Sequence, residues 1–81
     1  MSWRILNGQI EPDLDRFEEA DRDAITTELM DWVEGGPPMR NRRDLAGIDA
    51  YEDRLDCGFD VTYIVDEAIP YAAILRIRRA I

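Results

Sequence analysis

Histidine and lysine are both missing from this 81-residue chain, and cysteine occurs once. Without histidine the chain has neither the commonest general base nor the commonest metal ligand, and Ser-His and Cys-His nucleophile arrangements are excluded. A single cysteine, Cys57, forms no internal disulfide and has no partner set for a metal site. Asp56 and Asp60 flank it, whereas a reactive thiolate needs basic neighbours, so Cys57 reads as an inert turn or core residue. No apolar run is long enough to cross a bilayer, and the N-terminal Met1-Ser2-Trp3-Arg4 lacks the pattern of a secretion signal. A cytoplasmic protein without a membrane contact, a metal or a cofactor is expected.

What is present is acid. The net charge is −8, and every basic residue is an arginine. Residues 1–36 carry ten carboxylates and three arginines; residues 37–81 carry eight carboxylates and seven arginines. The apolar share of 46% suits a folded globule, and the length allows one domain spanning residues 1–81, with a core modest enough that a partner chain could add to it.

Periodicity gives the elements. Residues 3–10 read as a first strand, one that the turn dipeptide Asn7-Gly8 can stop at Leu6. Glu11-Pro12 opens a helix expected to run to about Ala20, with Leu14 and Phe17 on one face. Asp21 or Asp23 is expected to cap a second helix whose Ile25, Leu29, Trp32 and Val33 form a buried stripe. Gly35-Gly36 stops that helix and Pro37-Pro38 prevents its restart. Residues 39–50 read as a loop bearing Arg40, Arg42 and Arg43. Strands then follow over 51–56, 59–65 and 71–78, the last nearly continuous in apolar residues and so expected at a central position. The fold class is α+β in the order β-α-α-β-β-β: a strand and a helical hairpin packed on a small sheet whose last three strands form an antiparallel meander.

Certain stretches resemble a known superfamily. Leu45-Ala46-Gly47, the strand from Tyr51 to Leu55, Gly58-Phe59-Asp60-Val61-Thr62-Tyr63, and Ile74-Leu75-Arg76-Ile77-Arg78-Arg79 are similar to the signature segments of the RelE/ParE toxins, as is a helical hairpin with a Pro-rich stop. The resemblance covers nearly the whole chain. It implies the toxin of a type II toxin–antitoxin pair, acting by ribosome-dependent mRNA cleavage or on DNA gyrase, with a cognate antitoxin as partner and a homodimer as one possible state. On that reading Arg79, Arg78 and Arg76 carry the catalytic charge, and Arg43, Arg42 and Arg54 bind substrate or partner. The chain departs from the ribonuclease pattern. Asp44, Ala46 and Asp60 stand where the ribonucleases carry positive charge, and the chain ends at Ile81 before the usual C-terminal tyrosine or histidine. An arginine-to-aspartate exchange in a phosphate site reverses the sign of the interaction. The alternative is therefore a non-catalytic interaction module of the same fold.

Each candidate also has a plainer role. Arg40, Arg42 and Arg43 could pair with the acidic helices, because the net charge opposes nucleic-acid binding. Arg76 and Arg78, two apart on a strand, emerge on one face that Arg54 could extend. Asp60 is expected to pair with Arg54 or Arg76 rather than to act as a base. Trp3, Trp32, Tyr51, Phe59, Tyr63 and Tyr71 are expected to pack in the core more than to stack on bases. The acidic hairpin reads as a solvated face in preference to a nucleic-acid mimic.

Overall fold

The computed structural model describes residues 2–80. Strand β1 (Arg4–Leu6) ends at Leu6, as the turn dipeptide Asn7-Gly8 predicts, and Gly8–Ile10 forms one 3-10 turn. Helix α1 (Glu11–Leu14) is a single turn, much shorter than expected. Its hydrogen bonds tighten at once, with Arg16 N donating to Asp13 O and Phe17 N to Leu14 O. This bend delivers Phe17 to Phe59, with ring centroids 5.0 Å apart, which a continuing helix of so few apolar residues would not do. The long hairpin arm expected before Ala20 is thus replaced by a turn.

Helix α2 (Glu19–Gly35) starts earlier than expected. Glu18 precedes it in an extended conformation and makes no side-chain cap, so neither Asp21 nor Asp23 is its cap. Asp21 lies in the first turn, where a negative charge suits the helix dipole. Ile25, Leu29 and Trp32 are buried as their spacing requires. Gly36, at φ +80, ends the helix, and a Cβ there would meet the Trp3 ring nitrogen at 2.7 Å. Only glycine satisfies both the backbone angle and that close approach.

Residues 39–50 are not a loop throughout. Strand β2 (Arg42–Leu45) turns at Ala46-Gly47 into β3 (Ile48–Arg54). Both turn residues have positive φ, the geometry that matches strand twist in a two-residue hairpin. Asp44 Oδ1 accepts from Gly47 N at 2.9 Å and braces the turn. Strands β4 (Phe59–Asp66) and β5 (Tyr71–Arg79) complete the sheet, ordered β1-β5-β4-β3-β2. β3, β4 and β5 form the expected antiparallel meander, β5 lies inside the sheet although β4 is its middle strand, and β1 pairs with β5 in parallel. The fold is α+β with a mixed five-stranded sheet.

The helices cover one face of this sheet. Ile10, Ile25, Leu29 and Trp32 pack against Phe59, Val61, Tyr63, Ala72, Ile74 and Ile77. A bulge lets Ile74 and Ile77 both reach that core although they are three apart, because Leu75 has no partner across β4. Among the described residues no helix is long and apolar enough to cross a membrane.

Candidate functional site

No described element covers the other face of the sheet. Residues opposed across strands point to the same side, so the register lays this face out in rows. One row runs Leu6, Ala73, Ile64, Ala50, Arg43. The next holds Arg76, Thr62 and Glu52, and the third Arg78, Asp60 and Arg54. Leu6, 47% exposed, and the bulged Leu75, 37% exposed, put apolar surface on the β1 side beside a fourth row of Arg4, Tyr71 and Asp66, and the exposed Leu45 and Ile48 put more at the β2–β3 turn. Arg43, Arg54, Arg76 and Arg78 lie between them.

Glu52 sits at the centre of the charged part. Arg43, Arg76 and Arg78 approach its carboxylate at 3.5, 3.8 and 3.6 Å from three positions around it. Thr62 Oγ1 donates to Glu52 Oε2 at 3.2 Å, and Thr62 itself is buried. The Glu52 side chain is only 18% exposed, while the three arginine side chains are 57–59% exposed. Arg54 Nε bonds Asp60 Oδ1 at 3.0 Å, one of the two pairings expected for Asp60, and this bond raises the arginine pKa. Four arginines thus face two carboxylates, a local surplus of positive charge on a strongly acidic chain. A hollow of about 310 Å³ opens between Asn41, Arg43, Glu52, Arg54 and Asp60.

Arg79 and Arg42 lie elsewhere. Arg79 follows Arg78 and so points to the opposite face, where its guanidinium lies 4.8 Å from the Phe59 ring centroid and bonds Asp21 of α2 at 2.8 Å. It is the arginine that ties sheet to acidic helix. Arg42 pairs with Asp49 across the β2–β3 hairpin, with its pKa raised chiefly by that hydrogen bond. The structure therefore brings Arg43, Arg54, Arg76 and Arg78 to one face and leaves Arg42 and Arg79 outside it. Sequence reasoning missed Glu52, the carboxylate that Arg43, Arg76 and Arg78 approach.

The covered face encloses a second polar group of a different kind. Asp53, 3% exposed, accepts from Tyr63 Oη at 2.6 Å, from the backbone of Arg40 and Asn41 at 3.2 Å each, and from Asn41 Nδ2 at 3.0 Å. Tyr63 Oη accepts from Met39 N at 2.8 Å, and the Tyr63 ring lies against Trp32 and Tyr51. Burial first, then Asp53, pushes the phenol pKa upward, so Tyr63 stays neutral. Glu28 accepts from Asp56 N at 2.6 Å and Cys57 N at 3.0 Å, anchoring the β3–β4 turn to α2. Burial, reinforced by Glu28, pushes the Cys57 thiol up to about 12, which keeps it protonated near neutrality. Among the described residues no buried side-chain polar atom lacks a partner, and no three acidic or cysteine side chains are grouped to hold a metal ion.

The open face can therefore present guanidinium donors to an anion, with apolar surface beside them. A comparison with protein-family models and a search of the curated proteins each found no match for this chain.

Proposed function

We propose that the chain is a non-catalytic interaction module that uses the open sheet face to take an acidic segment of a partner protein. The observation that carries this reading is the convergence of Arg43, Arg76 and Arg78 on an uncovered face. Arginine forks suit carboxylates, and Leu6, Leu75 and the half-buried Ile64 offer apolar contact to the same segment. A short acidic segment meets only the local positive surplus. A long polyanion extends beyond it and meets the acidic remainder of the surface. Burial raises the pKa values of Tyr63 and Cys57, so these two supply neither a phenolate nor a thiolate for chemistry. The resemblance to RelE/ParE toxins makes an antitoxin in the cytoplasm the natural partner of this kind.

The second reading is the toxin itself, a ribosome-dependent endoribonuclease or a gyrase inhibitor. It is favoured by Arg76 and Arg78 standing on one open face, where phosphate could take the place of carboxylate. Fluorescence anisotropy separates the two. Binding of a labelled oligoglutamate peptide tighter than that of a single-stranded RNA of equal charge supports the module, and the reverse order overturns it. Growth arrest on expression of the chain alone would support the toxin.

A further inference from the structure

We propose that Glu52 is a built-in competitor for the ligand of the arginine face and holds its affinity down. This rests on the reading above, that the face takes an acidic partner segment. The distances carry the argument. Charge-assisted guanidinium–carboxylate bonds fall near 2.7–2.9 Å. Arg79–Asp21 at 2.8 Å and Arg54–Asp60 at 3.0 Å are of that kind. The three contacts to Glu52, at 3.5 to 3.8 Å, are not. Arg43, Arg76 and Arg78 are attracted to Glu52 without spending their donors on it, and their exposure leaves those donors facing solvent.

Glu52 also has a fixed place. Its oxygen is held by the buried Thr62 hydroxyl, and its strand lies inside the sheet between β2 and β4. An arriving carboxylate bonding Arg76 and Arg78 must settle beside it, adding a second negative charge within reach of the first. Glu52 does not have to gather the arginines. Arg76 and Arg78 share a face through strand alternation, and Arg43 is set by pairing with Ala50. Its main effect on a ligand is therefore repulsion. Glu52 thus lowers the affinity of this face for an acidic segment without closing it.

The test is Glu52→Gln, which keeps the shape and the Thr62 contact and removes the charge. Binding of a fluorescein-labelled oligoglutamate peptide is measured by anisotropy for the wild type and the variant, with circular dichroism confirming the fold of each. The expected result is roughly tenfold tighter binding by the variant, the low end of what close charge pairs give at interfaces. The gain disappears when Arg76→Ala and Arg78→Ala are added, and shrinks as salt rises. Equal or weaker binding by Glu52→Gln overturns the proposal while leaving the module reading in place, as does a gain that survives loss of the arginines. Absence of binding by both wild type and variant overturns the module reading beneath it. Should Glu52→Gln fail to fold, the pair Glu52→Met with Thr62→Val removes the same charge without stranding a hydroxyl, and the same outcomes apply.

Discussion

The two faces of the sheet use the same residue types for opposite ends. On the covered face, Asp53 is enclosed and receives four hydrogen bonds at 2.6 to 3.2 Å, which fix the chain entering β2 and the Tyr63 phenol. On the open face, Glu52, one residue earlier on β3, receives one bond from Thr62 and three loose arginine contacts. Strand alternation alone sends these neighbours to different environments. A buried carboxylate with matched donors is worth kilocalories because removing it strands its partners. Exposed ion pairs of long side chains are worth little to stability, so their donors remain available to a ligand. The covered face holds the fold, and the open face leaves its guanidinium donors exposed.

Substitutions test this contrast, and the largest effect is expected at Asp53. Asp53→Ala leaves the Tyr63 hydroxyl and two backbone N–H groups without their acceptor and should lower the unfolding free energy by about 3 kcal/mol in urea titrations. A loss no greater than that of a surface substitution would break the comparison. Tyr63→Phe removes the bridge between Met39 N and Asp53 but keeps the ring packing. It should cost about 1.5 kcal/mol by the same measurement.

Cys57 gives a pH dependence. Its folded pKa, about 12, is raised above the ordinary 9.0. The unfolded chain releases this proton first, so the group's stabilising contribution is complete below about pH 9 and is lost as pH rises toward about 12. Urea midpoints should fall across that window. Tyr63 shifts in the same direction, so Cys57→Ser should flatten only part of the fall. The smallest effect is expected on the open face, where Arg76→Ala with Arg78→Ala should change stability by no more than about 0.5 kcal/mol.

How far the sequence revealed this contrast depends on the residue. The stripe Ile25, Leu29, Trp32 and the clean alternation from Phe59 into β4 were legible because each has one period and one buried face. The Arg54–Asp60 pair was among the options, since short connections make their strands neighbours. The β2–β3 hairpin was hidden because Arg42-Arg43-Asp44 carries no apolar alternation, and Ala46 takes a positive φ that its residue type does not advertise. The brevity of α1 was hidden because Pro12 marks a start while nothing in Asp15-Arg16 marks a stop. Arg79 carried a usable signal, since it is one residue from Arg78 and must face the other way. Glu52 as the centre of the arginine face was out of reach, because it depends on a register across four strands.

The central claim is that the open face binds and does not hold the fold. Its most direct test is the Arg76→Ala/Arg78→Ala protein, titrated with labelled oligoglutamate and melted alongside the wild type. Loss of at least roughly tenfold in affinity at an unchanged melting temperature is the predicted result. Unchanged affinity, or a melting temperature that falls as far as that of Asp53→Ala, would contradict it.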